Sequence, residues 1–229
     1  MIGVEALARW QHPERGLIGP DDFVSLAEQA GLCKPFTKLV LDKAMGQCAK
    51  WLQADYHIPV SVNLSIKNLH DLEFPGDVAN LLHKWQIKPE MLLLEITESC
   101  VVVDQERVIK VIAELRKMGL QLSIDDFGTG YSSIAYLKKF PAQEVKIDKS
   151  FITDMLQNED NAVIVKSTIE MVHNIGRKVV AEGVEDEETM QFLVELGCDI
   201  IQGFHLCRPL PDNELQQWLD TTDWSVKKQ

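Results

Sequence analysis

Asp125 and Asp126 stand side by side at the end of an apolar alternation, Leu122-Ser-Ile124, and a glycine-punctuated turn, Phe127-Gly-Thr-Gly130, follows at once. Two like charges delivered by the tip of one strand repel each other unless a cation lies between them, so the pair reads as a site for a hard divalent metal. The same habit recurs along the chain: Glu5, Asn63, Glu95, Lys146, Glu182 and Gln202 each fall in or just beyond a short apolar run. Glu, Asn and Asp oxygens suit magnesium or manganese rather than zinc. The six histidines (His12, His57, His70, His83, His173, His205) show no paired-ligand spacing and read as surface or packing residues. Two oxygen-ligated metals close together are a common device for phosphodiester hydrolysis. A glycoside hydrolase could also use two strand-tip carboxylates, but that reading leaves the lysine, the amide and the adjacent aspartates without a task. A kinase reading of Asp126-Phe-Gly128 lacks both the catalytic loop and the third glycine of a phosphate loop.

The elements that must position these groups follow from periodicity. Strands are expected at Ile2 to Leu7, Val60 to Leu64, Met91 to Ile96, Leu122 into the Asp-Asp pair, Glu144 to Asp148, Val179 to Glu182, and Ile200 to Gln202. Between them lie helical stretches at Pro20 to Ala30, Pro35 to Gln53, Gly76 to Trp85, Asp104 to Met118, Ser132 to Lys139, a run holding Val165, Ile169 and Val172 on one face, Asp186 to Gly197, and Asp212 to Leu219. His12 to Gly19 reads as turn-rich. Seven short, apolar, β-branched strands alternating with helices describe an all-parallel buried sheet. No linker or low-complexity stretch divides residues 1–229, which favours one closed α/β barrel over two doubly wound domains. Strand ends of such a barrel share one face, where these polar groups would converge.

Composition narrows the partners. The 229 residues are 45% hydrophobic and 25% charged, with a formal net charge of -12 and no cluster of Lys and Arg. That balance argues against DNA, RNA polymers or anionic membranes as the main partner. The five cysteines (Cys33, Cys48, Cys100, Cys198, Cys207) are scattered and read as reduced, mostly buried thiols. There is no membrane-span-length apolar run and no signal peptide at the start, so the expected compartment is the cytoplasm.

Taken in order, Val4-Glu-Ala-Leu-Ala-Arg9-Trp10, Val62-Asn-Leu-Ser65, Leu94-Glu-Ile-Thr-Glu98, Ile124-Asp-Asp-Phe-Gly-Thr-Gly130, Val145-Lys-Ile-Asp148, Ala181-Glu-Gly-Val-Glu185 and Gln202-Gly-Phe204 resemble the EAL-domain family of cyclic di-GMP phosphodiesterases. The resemblance runs from Gly3 to about Leu215. It implies a TIM-like (β/α) barrel that cleaves one phosphodiester of cyclic di-GMP to linear 5'-pGpG with Mg2+ or Mn2+, two ions in all. Glu5, Asn63, Glu95 and Asp125 would hold one metal, and Asp125, Asp126 and Glu182 the second, directly or through water. Lys146 would hold the attacking water or assist its deprotonation, with Glu5 and Glu182 also counted in the catalytic set. Arg9 and Gln202 would contact substrate, and Glu98 would tether the loop Phe127 to Ser133, which shapes the metal site and the dimer surface.

One departure stands out. Family members usually begin with an extra antiparallel strand carrying a Tyr-Gln-Pro motif, and this chain starts at Met1-Ile2-Gly3. The expectation is an N-terminally short EAL-type domain whose seven strands leave a seam. A partner copy, with or without strand exchange, a rearrangement, or further sequence would close it, and a homodimer is the expected assembly. The alternative function is a receptor module that binds cyclic di-GMP without cleaving it. That reading would be favoured by lost ligand acids, and the matched positions retain theirs.

Overall fold

The computed structural model describes residues 3–98, 105–130, 137, 140–222 and 224. Seven strands hydrogen-bond in one sheet in chain order: β1 (Val4–Glu5), β4 (Val60–Leu64), β5 (Leu92–Thr97), β6 (Gln121–Phe127), β7 (Glu144–Ile147), β8 (Lys178–Ala181) and β9 (Ile200–Ile201). The pairs β1 with β4, β6 with β7, β7 with β8, and β8 with β9 are parallel, as runs buried on both faces demand. Among the described residues β1 and β9 are the outer strands, and no eighth strand joins them. These are the seven strands expected from the sequence, with ends displaced by a residue or two.

The chain forms two compact units, described in turn. The first takes the described residues of Met1–Leu94, Asp104–Gln121 and Pro211–Gln229. It holds α1 (Pro20–Gln29), α2 (Cys33–Gln53), α3 (Ile66–Leu69), α4 (Phe74–Trp85) and α5 (Gln105–Lys117). On α5, Val108, Val111, Ile112 and Leu115 are buried at 3.6-residue spacing, and Gly119 at φ 90 stops the helix. Helix α2 starts two residues before Pro35 and α4 starts one before Pro75. A proline in the first turn loses nothing, because the first four N–H groups of a helix have no intrahelical acceptor. The last helix, Asp212–Thr221, places Leu219 in a cluster with Trp51, Tyr56 and Ile58, against which Val4 of β1 packs. Tyr56 hydroxyl donates to Asp220 there.

The stretch expected as a turn is a small antiparallel hairpin, β2 (Trp10–His12) with β3 (Gly16–Ile18). His12 Nδ1 accepts the N–H groups of Glu14 and Arg15, and Gly16 takes φ 72 to close the turn.

The second unit takes the described residues of Glu95–Val103 and Leu122–Leu210. It carries β6 to β9 with α6 (Lys149–Ile152), α7 (Glu159–Asn174) and α8 (Glu187–Glu195); the closing Asp212–Thr221 helix of the first unit is α9. Val165, Ile169 and Val172 are the buried residues of α7, and Asn158 caps it by accepting the N–H groups of Asp160 and Asn161. Of the helix expected from Ser132 to Lys139, only Leu137 is among the described residues, and Asp104 and Cys100 lie outside them. The four described cysteines are free thiols, and burial pushes Cys48 and Cys198 up to about 11.

Candidate active site

The site in the second unit is built by an irregularity in β6. Ile124 pairs with Val145 and Phe127 pairs with Ile147, so β6 spends both Asp125 and Asp126 where β7 spends only Lys146. This is a bulge, and Asp126 takes the left-handed backbone at φ 56 to make it. In a regular strand adjacent side chains point to opposite faces. Here one extra residue cancels that alternation, and oxygens of Asp125, Asp126 and Glu182 come within 4.8 Å of one another. The sequence puts the pair at the tip of the strand; the strand in fact continues through Phe127.

Lys146 anchors the arrangement. The residue is 1% exposed, and Nζ lies 2.6 Å from Glu182 Oε1, 3.1 Å from Glu95 Oε2 and 3.6 Å from Asp125 Oδ1. Glu95 is itself 2% exposed, and Asp125 Oδ1 also accepts the Asp126 N–H at 2.9 Å. Removing carboxylates from water is costly unless their charge is met. Three carboxylates, those of Glu95, Asp125 and Glu182, lie within 3.6 Å of this one ammonium, and Asp126 joins Asp125 and Glu182 in the same cluster. The donor set is all oxygen and carries surplus negative charge, which fits a hard divalent cation.

Glycines let neighbouring segments close on this cluster. Glu182 follows β8 directly, its N–H donating to Ile147 O. The next residue, Gly183, has φ 71, and a Cβ there would lie 2.5 Å from Lys149 Cβ. Gln202 follows β9, donating to Ala181 O and accepting from Val184 N–H. A Cβ on Gly203 would lie 2.1 Å from Val184 O, so this crossing admits only glycine. Beyond the bulge, Gly128 at φ 102 rests on the Phe151 ring and donates its N–H to Glu98 Oε2 at 2.8 Å. Glu98 is 4% exposed and also lies close under Gly130. The loop thought to be held by Glu98 runs to Ser133; the described part ends at Gly130.

In the first unit, Glu5 lies on β1 and Asn63 on β4, and Asn63 Nδ2 donates to Glu5 Oε1 at 2.7 Å. The amide nitrogen is spent on Glu5, which leaves the carbonyl oxygen as the atom able to ligate. Arg9 is exposed and donates to its neighbour Ala8 O at 2.9 Å. The histidines keep to their expected places where their bonds are seen: His173 pairs with Asp199 at 2.7 Å and His205 with Glu187 at 2.9 Å. The sequence reading missed Phe151 as the support under Gly128 and Gly183 as the turn beside Glu182. The Glu-Gly-Val motif carried a signal for the second; nothing marked the first.

Solved structures and curated proteins match this architecture. A structure described as PaMucR phosphodiesterase in complex with c-di-GMP aligns with a TM-score of 0.90 at 43% identity, covering 94% of this chain and 87% of that one. MucR of Pseudomonas aeruginosa, named a bifunctional diguanylate cyclase/cyclic di-GMP phosphodiesterase, is 44% identical over 218 residues, 94% of this chain and 32% of that protein. PdeR of Escherichia coli, named a cyclic di-GMP phosphodiesterase, is 35% identical over 215 residues, 94% of this chain and 32% of its own length. The chain thus spans about a third of the length of these curated relatives. A parallel sheet with intervening helices, aligned so closely with that solved phosphodiesterase, defines a TIM-like (β/α) barrel fold, with seven strands among the described residues. The family model for the EAL domain matches residues 1–209, and the chain belongs to the EAL domain family.

Proposed function

We propose that this chain is a single EAL-type domain that hydrolyses one phosphodiester bond of cyclic di-GMP to linear 5'-pGpG. The observation that carries the reading is the buried Lys146 surrounded by Glu95, Asp125 and Glu182, with Asp126 turned into the same cluster by the bulge. Asp125, Asp126 and Glu182 would hold Mg2+ or Mn2+, and the family resemblance adds Glu5, Asn63 and Glu95 to the ligands of a two-ion set. Such ions, when bound, lower the pKa of water and stabilise charge developing on the leaving oxygen.

The chain's own residues do the rest. Lys146 Nζ would hold the attacking water by hydrogen bonding; to assist its deprotonation the ammonium must first release its own proton, which two divalent ions bound beside it would favour. Glu182 and Glu95 keep Nζ aimed, since both bond to it directly. Water adds to phosphorus, the bond from phosphorus to the 3' oxygen breaks, and the departing oxygen takes up the proton that the attacking water has given up to Lys146. Arg9 contributes a fixed positive charge for a phosphate, and Gln202 offers an amide to the nucleotide. Among the described residues no helix is long and apolar enough to cross a membrane. We place the domain in the cytoplasm and, on the family resemblance, as a homodimer.

The test is chromatography of nucleotides after incubating the chain with cyclic di-GMP and Mn2+, with Asp125→Asn as the control. A pGpG peak absent from the control supports the reading. Retained cyclic di-GMP, bound but uncleaved by the wild type, rejects hydrolysis in favour of a receptor.

A further inference from the structure

We infer that Glu28, on α1, is a positioning residue for Asn63: it fixes the end of β4 and so sets how strongly the site takes up a divalent metal. The inference rests on the reading of Asn63 as a metal ligand. Asn63 is exposed and is the last residue but one of β4, a place where a strand frays unless the following segment is held. Two residues on, Ser65 turns the chain into α3, and its bonds reach well beyond an ordinary helix cap.

Ser65 N–H donates to Asn68 Oδ1 at 3.2 Å and its hydroxyl oxygen accepts the Lys67 N–H, which already completes a reciprocal cap. The hydroxyl proton is spent elsewhere, on Glu28 Oε1 of another helix. Lys67 Nζ donates to the Glu28 backbone carbonyl at 2.5 Å, so one residue of α1 is gripped twice by the segment after β4. Asn68, 1% exposed, takes the hydroxyl of Thr37 on α2 at 3.0 Å through the same oxygen that holds Ser65 N–H. Ser65, two places beyond Asn63, is therefore bonded directly to α1 and α3 and, through Asn68, to α2. A cap alone would need neither α1 nor α2. A ligand carried on a strand end needs both, because a cation binds tightly only where its donors are already oriented.

The experiment is Mn2+ titration of the nucleotide-free protein, by calorimetry or by loss of the free-ion paramagnetic resonance signal, alongside thermal melting. Glu28→Ala is expected to weaken Mn2+ binding roughly tenfold, the scale found when a group orienting a ligand is removed. Glu28→Gln, whose amide oxygen still accepts from Ser65, should stay within about twofold of wild type. Ser65→Ala, which also removes the Lys67 N–H cap, should lose at least as much, and the double variant should lose no more than Ser65→Ala alone, since both cut the bond from Ser65 to Glu28. In turnover the loss should appear in the Mn2+ concentration needed and vanish at saturating metal. Wild-type Mn2+ affinity in Glu28→Ala, with Asn63→Ala still weakened, overturns this inference and leaves the metal reading standing. If Asn63→Ala and Asp125→Ala both bind Mn2+ as wild type, the metal reading itself fails and takes this one with it. Should Glu28→Ala not fold, Ser65→Ala decides by the same measurement.

Discussion

Lys146 and Glu182 form their 2.6 Å ion pair diagonally across the sheet: the register partner of Lys146 is Val180, two residues before Glu182. Glu182 thus reaches back from just beyond β8, and Gly183 makes that return possible. The pair ties the half-buried Glu182 to the buried Lys146 in a cluster where carboxylates outnumber the ammonium.

Lys146→Met tests that imbalance. Without the ammonium, Glu95, Asp125 and Glu182 lose their common partner, and breaking a buried ion pair from one side costs about 3–5 kcal/mol. Metal-free protein should melt roughly 10 °C lower, at ~2–4 °C per kcal/mol for a chain of this size. Saturating Mn2+ should restore more of the melting temperature in the variant than it adds to wild type. Turnover should fall ~100-fold or more, the usual share of a general base. An unchanged metal-free melt would show that Lys146 is not balancing these acids.

Asp126 should show stability and function moving in opposite directions. Its φ of 56 is uncommon for a residue with a Cβ, and it adds a carboxylate to a cluster already rich in them. Asp126→Gly should raise metal-free stability by about 0.5–1 kcal/mol, measured by urea unfolding. The same variant should bind Mn2+ more weakly and turn over more slowly. A destabilised Asp126→Gly would mean that the aspartate's own hydrogen bonds outweigh strain and repulsion.

Gly128→Ala should be costly for two separable reasons. The residue sits at φ 102, and its new Cβ would lie 2.8 Å from Phe151 Cε2. Together these should cost about 2 kcal/mol in chemical denaturation. Phe151→Leu in the same chain relieves only the contact, so the double variant should recover part of the loss over Gly128→Ala alone. Full recovery would show that the backbone angle is harmless.

Asp186 supplies the pH test. It caps α8, and the Thr189 backbone N–H at 2.7 Å and hydroxyl at 3.0 Å hold its carboxyl below the ordinary value. A carboxyl lowered in the folded state adds stability above its unfolded pKa of about 3.9, and that stability is lost as pH falls through the lowered value. Asp186→Ala should cost about 1 kcal/mol at neutral pH. Its difference from wild type should shrink as the pH is taken below about 4 in urea titrations. A difference independent of pH would place the effect elsewhere.

The parts of this architecture that were legible in sequence are those governed by burial. Val179 and Val180, or Leu92 to Ile96, have no option but a strand covered on both faces, and the polar residue that ends such a run stands out against it. The periodicity of α5 was equally plain. What could not be read depends on backbone angles or on partners far along the chain. Nothing in Asp125-Asp126 says that the second residue adopts a left-handed backbone, and without that angle two neighbouring carboxylates on a strand diverge. The β2–β3 hairpin escaped notice because Trp10 and Leu17 are 45% and 66% exposed, so no apolar alternation marks strands of three residues. The grip of Glu28 on Ser65 spans 37 positions, and no local pattern announces it.

The most direct test of the central claim is hydrolysis in water enriched in oxygen-18 with Mn2+, under single-turnover conditions, read by mass spectrometry of the nucleotides. The prediction is linear pGpG carrying one heavy oxygen in its 5' phosphate, formed by the wild type and abolished in Asp125→Asn. Recovery of intact, unlabelled cyclic di-GMP from a protein saturated with it would contradict the account and leave a binding module in place of an enzyme.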